Sequence, residues 1–480
     1  MRRGLILNLV SNILFFVCGY VIHFFLGNTL PAAEYGIVGT IMTVLDFEYM
    51  FLSNGARQSL AKEISLHRFE TRDVIFKALG FQLILIAGFF ALNFFGAPLF
   101  GIVFNDPDIV FYFKVAAFLI PANGLFVILL GINDGLHRFS TGAVINTLYP
   151  IAKLLVIPLI LFVFQSQPVL GMEVGYLLAL IISILIGLAL LVPARKQLAA
   201  AHLPAIRFSE IARNTLSFSF FYIMVSLVLS LDTLVVKSVV SPAEMTGYYT
   251  GAVNLGKVPY YLVSAFCTII LPVVAKKIGQ HDAEGAIKQV KDFIQVIVAV
   301  ILPIPVILSA SSELVLSVFY KPEYAQAGPA LSCLAFSNFF MGMTVLLNMV
   351  LTSFASNKFS DVLSIGSLVV VVPIFIATAR FGGITWIATA SVTCTFLTML
   401  ISYIVLRRNT GNLFYRNTLI ALGLNVLLWL GTHLLVTAVH IPNLVALAGV
   451  YMFLYLLFLG ILVAFRIIRI PEIRNANKLS

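Results

Sequence analysis

The sequence predicts an all-α polytopic membrane protein with fourteen transmembrane helices: two pseudo-symmetric six-helix bundles, then two C-terminal helices. Three observations predict it. Of the 480 residues, 60% are hydrophobic and only 10% charged, with a mean hydropathy of +1.04; a soluble domain carries about 25% charged residues. Apolar windows of about 20 residues, long enough to cross a hydrocarbon core of ~30 Å, recur from end to end. Lys and Arg, finally, are sorted between alternate loops. Together these exclude a secreted enzyme, a nucleic-acid binder and a disulfide scaffold.

Met1-Arg2-Arg3 and the apolar run Leu5–Leu26 resemble a signal peptide, but the run is too long for a secretory h-region and no A-x-A-like site follows it. It reads as a retained first span with a cytoplasmic N-terminus. The windows that follow give spans at about 5–27, 35–56, 76–100, 109–131, 141–165, 170–193, 215–239, 245–273, 291–318, 327–354, 359–380, 383–406, 417–440 and 443–466. Pro121, Pro150, Pro259, Pro303 and Pro373 fall inside spans, where neighbouring helices or water satisfy the freed backbone groups. The four cysteines (Cys18, Cys267, Cys333, Cys394) sit in apolar runs without CxxC spacing and read as packing residues.

The net charge of +10 follows from topology. With a cytoplasmic start, 24 of the 30 Lys and Arg fall in cytoplasmic segments, three outside (Lys237, Lys321, Arg380) and three within spans (Lys114, Lys153, Lys257). That is the positive-inside bias. The longest loop, about 194–214, holds some twenty residues, so no extramembrane domain remains for a catalytic site and function must lie among the helices. The boundaries expected are 1–193 for an N-terminal lobe, 194–214 for a cytoplasmic linker, 215–408 for a C-terminal lobe, and 409–480 for two added helices and a basic tail.

The two lobes read as an internal repeat. At an offset of 211, Pro31-Ala32 meets Pro242-Ala243, Gly36 meets Gly247, Tyr49 meets Tyr260 and Ser53 meets Ser264. Six spans per half give parallel repeats, and transporters built this way place their site between the halves.

Ionisable residues inside the membrane cost about 2.5–3.5 kcal/mol each on insertion scales and each needs a reason. Asp46, Tyr49, Ser53 and Arg57 fall on one face of the second span; Thr250, Asn254, Lys257, Tyr261 and Ser264 do so on the eighth. The seventh carries Ser219, Tyr222, Ser226, Ser230, Thr233 and Lys237, with Asp232 to one side, and the fifth groups Asn146, Tyr149 and Lys153. Asp46 and Lys257 are equivalent under the repeat, and are expected either to line a wet cavity or to form a structural ion pair. Substrate-contacting residues expected in such a cavity are Asp46, Tyr49, Arg57, Lys153, Asn254, Lys257 and Tyr261; coupling-ion residues are Asp46 and Asp232. Glu48, two positions from Asp46, is expected to point towards the first span, for instance to His23. Lys114 and Lys237 are expected to snorkel to headgroups. Gly251-Ala-Val-Asn-Leu-Gly256-Lys257 matches a phosphate loop, but Val258 replaces the Ser or Thr that holds Mg²⁺ and no strand precedes it. Neither nucleotide nor nucleic acid is expected as a partner, and no cofactor or metal.

Fourteen spans arranged as 6+6+2 resemble the oligosaccharide and polysaccharide flippases of the multidrug/oligolipid/polysaccharide exporter superfamily. Local segments carry the resemblance too: Leu52-Ser53-Asn54-Gly55-Ala56-Arg57-Gln58, Gly131-Ile-Asn-Asp-Gly135-Leu-His-Arg138-Phe139, Asp232, and Gly247-Tyr248-Tyr249. It implies two lobes around a central cavity and alternating access. It further implies transport of undecaprenyl-diphosphate-linked oligosaccharide repeat units across the bacterial cytoplasmic membrane, driven by Na⁺ or H⁺ coupling or by the membrane potential, alongside other polysaccharide assembly proteins. Peptidoglycan-precursor (lipid II) flippases of the superfamily carry arginines in the first span, whereas this one has only His23. A cation-coupled multidrug exporter prefers acidic cavities, against which Lys153 and Lys257 argue. Both stay as alternatives, and no enzymatic activity is expected.

Overall fold

A computed structural model describes residues 2–194, 203–354, 358–439 and 441–467. Part of the expected linker, with Arg195 and Lys196, and the basic tail, with Arg469, Arg474 and Lys478, lie outside the described residues. Those described form helices and short connections, with no strand among them. Lipid leaves no water to satisfy backbone groups, so an apolar chain of this kind closes its hydrogen bonds within each segment.

The chain forms two compact units, Met1–Ser238 and Val239–Ser480. In the first, α1 (Arg2–Thr29) and α2 (Ala32–Met50) precede a π-helical turn at Phe51–Gly55 and then α3 (Ala56–Ser65). There follow α4 (Thr71–Phe95), α5 (Ala97–Val103), α6 (Ile109–Ala116), α7 (Leu119–Gly135), α8 (Phe139–Lys153), α9 (Val156–Phe162), α10 (Pro168–Leu191) and α11 (Phe208–Val239). The second unit holds α12 (Glu244–Gly256), α13 (Val258–Gly279), α14 (Ala283–Val296), α15 (Pro303–Ala310), α16 (Ser312–Phe319), α17 (Gly328–Phe354), α18 (Lys358–Thr410), α19 (Arg416–Ala438) and α20 (Leu444–Ala464). Ten helical stretches among the described residues are long and apolar enough to cross a membrane.

The boundary between the two units falls at the far end of α11. The start of α11 is held by the first unit. Ile206 and Ile211 join Leu60, Ile64, Val74 and Ile132 in one buried cluster from α3, α4 and α7. Asp73 accepts from the Ile206 backbone N–H at 2.8 Å and from Lys77 Nζ at 2.9 Å, and Lys77 donates to the Ile206 carbonyl. Asn214 Nδ2 donates to Glu63 Oε1 at 3.1 Å.

In the second unit α18 is two helices joined at Gly383, whose φ of 64° lies in the left-handed region that glycine adopts without steric cost. The polar contacts of α17 show why the bend is needed. Ser337 bonds Ser391 at 2.8 Å and Asn348 donates to Ser402 at 3.0 Å, both across 54 residues. A constant difference means α17 and the second half of α18 run parallel. The first half of α18 is therefore the return crossing. In an apolar solvent such hydroxyl and amide pairs are the glue between helices. The last two helices are tied to the same unit: Tyr455 donates to the Val300 carbonyl at 2.9 Å, Tyr451 bonds Ser311, and Trp429 Nε1 donates to Ser309 at 3.3 Å.

Outside the spans, Asp282 caps α14, accepting from the Gly285 N–H at 2.8 Å and from Lys277 Nζ at 2.7 Å. The Lys277 ammonium first, then the Gly285 N–H, holds its carboxyl below the usual carboxylate range. A depressed acid contributes stability above its unfolded pKa and loses it as pH falls through the folded value. Amide protection over the first turn of α14, taken relative to intrinsic exchange at each pH, is therefore expected to be unchanged from neutral pH down to about 4, the ordinary carboxylate value, and to fall below it. Asp282→Asn is expected to abolish that acid limb.

Candidate functional site

Mid-span lysines need a reason to be charged where they are, and both sit at the C-terminal end of a half-helix. Lys153 closes α8, which gives way to tight turns as Leu154 donates to Ile151 at 3.1 Å and Leu155 to Ala152 at 3.0 Å. Lys257 follows Gly256, the last residue of α12, just before Pro259 in α13. Unpaired carbonyls give such ends a partial negative charge, which favours an ammonium there.

Around Lys153 the first unit builds an aromatic cage. Its Nζ lies 4.0 Å from the ring centre of Tyr176, 4.8 Å from that of Tyr149 and 5.9 Å from that of Phe15. Tyr149 is there because residues four apart share a helix face; Tyr176 comes from α10 and Phe15 from α1. Both tyrosines are buried, and Phe126 packs on Tyr149 at 5.2 Å between ring centres. Asp46, exposed on α2, acts electrostatically on Lys153, Tyr149 and Tyr176, and Tyr49 feels both Asp46 and the two tyrosines. Asn146, one turn further back on α8, donates to Ser11 at 2.9 Å and ties the site to α1. Of the expected residues, Asp46, Tyr49 and Lys153 thus come together in one unit.

Arg57 does not join them. The π turn at Phe51–Gly55 takes more residues per turn than an α-helix, so the stripe drawn through Asp46, Tyr49, Ser53 and Arg57 is broken after Tyr49. Arg57 Nε instead donates to Asp134 Oδ2 at 2.7 Å. Gly131 permits this, since a Cβ there would lie 3.2 Å from Arg57 Cα and 3.3 Å from its carbonyl oxygen. The two sequence segments Leu52–Gln58 and Gly131–Phe139 are therefore one contact, between α3 and α7.

Other expectations are corrected. Glu48 is buried and accepts from Asn93 on α4, while His23 Nδ1 lies 3.1 Å from the Tyr35 hydroxyl. Lys237 does not snorkel: its side chain is 5% exposed and pairs with Asp106 at 2.6 Å. Lys114 is exposed. Asp232 is buried, and its Oδ1 accepts from the Thr233 N–H at 2.7 Å. The side chains of Ser219, Tyr222 and Ser226 lie outside those described.

In the second unit Asn254 and Lys257 are half-buried and Tyr261 is exposed, packing edge-on to Tyr260 at 5.6 Å. Gly251–Lys257 is helical up to Gly256, not a phosphate loop.

Sequence reasoning passed over Tyr176, Phe15 and Glu173. Tyr176 and Glu173 are the polar members of the apolar run Pro168–Ile182, three residues apart on α10, and that isolation is the available signal. Glu173 is 1% exposed, and neither carboxyl oxygen has a hydrogen-bond partner among the described residues. Phe15 gives no such signal among the phenylalanines of α1.

Known structures share this fold. The lipid II flippase MurJ in an inward closed conformation aligns at a TM-score of 0.71 and 16% identity, over 96% of this chain and 100% of its own. An inward-facing multidrug resistance MATE family transporter of the MOP superfamily aligns at 0.67 and 13% identity, over 85% and 98%. A MOP superfamily transporter from Pyrococcus furiosus, described by the reverse polarity of its binding pocket, aligns at 0.57 and 15% identity, over 85% and 93%. No curated protein matches the chain by sequence. Helical units of this kind are the fold these transporters share. A family model described as polysaccharide biosynthesis protein matches residues 1–277, more than half of the chain. The chain belongs to that family.

Proposed function

We propose that the protein is a flippase: by alternating access it carries undecaprenyl-diphosphate-linked oligosaccharide repeat units from the inner to the outer leaflet of the bacterial cytoplasmic membrane, for surface polysaccharide. The observation that carries the reading is Lys153, a cation held mid-span among tyrosines. A diphosphate needs cationic partners in a low-dielectric path, and sugars pack their apolar faces on aromatic rings. Lys257 would supply the second cation from its own half-helix end, with Asn254 and Tyr261 beside it. Arg57 would meet the phosphates only by leaving Asp134. Both termini are taken as cytoplasmic from the loop charges. Asp46 and Asp232 are the residues assigned to ion coupling, and the membrane potential supplies about 2.3 kcal/mol per charge per 100 mV to a charged substrate.

The test deletes the gene and measures surface polysaccharide together with lipid-linked sugar by leaflet, using an impermeant probe. Lipid-linked repeat units are expected to accumulate on the cytoplasmic face while surface polymer is lost. Complementation with Lys257→Ala is expected to restore the protein but not the polymer. Normal polymer with altered sensitivity to cationic drugs would replace this reading with an exporter; trapped lipid II would replace it with a peptidoglycan-precursor flippase.

A further inference from the structure

The aromatic cage of the first unit is a cation site, and the chain fills it with its own side chain. An ammonium within about 6 Å of aromatic ring centres is held by the ring quadrupoles. Three rings meet that condition around Lys153 Nζ, at 4.0, 4.8 and 5.9 Å, and the Asp46 carboxylate adds its field to the same place. Rings on several sides with a carboxylate nearby is the chemistry that recognises quaternary and alkyl ammonium ions. The same geometry does not select anions, because ring faces repel them; only the lysine makes the site attractive to a phosphate.

We propose that Lys153 is a specificity-determining residue, a tethered cation that occupies the Tyr149–Tyr176–Phe15 cage, excludes free organic cations from the first unit and presents positive charge in their place. Specificity of this kind comes from building repulsion against the wrong ligand as well as attraction for the right one. The lysine does both, since an entering cation meets a like charge where the cage would otherwise bind it. The substitution that would turn this unit towards organic cations is therefore a single one, at Lys153. The inference concerns which ligands the unit refuses, and it stands whichever lipid-linked sugar the protein carries.

Removing the lysine stem and ammonium vacates space for a small quaternary cation, so tetramethylammonium is the probe. It is titrated calorimetrically into purified full-length protein in detergent. Wild-type protein is expected to show no saturable binding. Lys153→Ala is expected to bind at least about tenfold more tightly than wild type, the size of effect that cation–π contacts in a desolvated cage provide. Adding Tyr176→Leu is expected to remove the gained binding, and Lys153→Arg to stay closed. Where the alanine variant is not monodisperse, Lys153→Met keeps the stem, drops the charge, and is expected to gain the same binding more weakly. Saturable binding to wild type that Tyr176→Leu abolishes would overturn the proposal. So would a monodisperse Lys153→Ala, or a Lys153→Met used in its stead, that binds no better than wild type. The readout is cation binding alone, so a failed leaflet assay leaves it intact and a failed titration leaves the flippase reading intact.

Discussion

Asp106→Asn is expected to destabilise the protein by about 3–5 kcal/mol, and Lys237→Met by distinctly less, although the two changes break the same ion pair. Breaking a buried pair costs that much because one charge is left uncompensated where water cannot reach it. The two charges here are not equally buried. The Lys237 side chain is 5% exposed and that of Asp106 19%. Stripped of its lysine, Asp106 can turn to solvent from its loop between α5 and α6. Stripped of its aspartate, Lys237 stays enclosed on α11. The Asp106→Asn/Lys237→Met pair is expected to recover most of the loss, since a neutral contact asks for no desolvation of charge. Asn105 Nδ2, which donates to the Ser238 carbonyl at 3.0 Å, remains to hold the end of α11 in all three variants. Thermal unfolding in detergent, followed on monodisperse protein, measures the order. Equal single-site losses would mean that the difference in burial does not set the order, and losses that simply add in the double variant would mean that the pair contributes nothing beyond its separate side chains.

This pair also shows where the sequence was legible and where it was not. The helical class and the apolar spans follow from composition and window length, because lipid imposes the same requirement on every segment that crosses it. A place near a span end gives Lys237 the look of a snorkelling residue, but its partner comes from a loop more than a hundred residues earlier, which no local pattern announces. The Arg57 stripe failed for a different reason: helical spacing assumes 3.6 residues per turn, and the π turn at Phe51–Gly55 changes that count without any sequence mark. Lys153 and Tyr149 were found together because four residues separate them. Tyr176 and Phe15 complete the cage from other helices, so the cage itself was invisible until the fold assembled it. The same holds for the contacts of Ile206, Ile211 and Asn214 with α3, α4 and α7, which length and loop charge do not encode.

The second large effect is expected on α10, where Gly175 sets how near α9 can come. A Cβ at Gly175 would lie 2.6 Å from Val156 Cγ2, 3.1 Å from Val156 Cα and 3.3 Å from its backbone N; one at Gly171 would lie 2.8 Å from Phe164 Cβ and 2.9 Å from Ile160 Cγ1. Gly171 and Gly175 make a small-xxx-small pair, which lets two helices pack at backbone distance. Gly175→Ala is expected to cost about 1–3 kcal/mol by overpacking, and Gly175→Leu to leave little monodisperse protein. The atoms in the way predict which second change rescues which variant. Val156→Ala deletes the Cγ2 that an alanine methyl would strike and is expected to restore most of the stability lost in Gly175→Ala. It cannot move the Val156 backbone, so Gly175→Leu is expected to stay unrescued. Tyr176 is the next residue, so a displaced α10 also draws its ring from Lys153. In a Lys153→Ala background, Gly175→Ala is therefore expected to weaken the gained tetramethylammonium binding, and Val156→Ala to return it. A Gly175→Leu variant that unfolds at the wild-type temperature, or a Val156→Ala change that rescues both substitutions alike, would show that α9 and α10 are not held at this distance and that the cage is placed by some other contact.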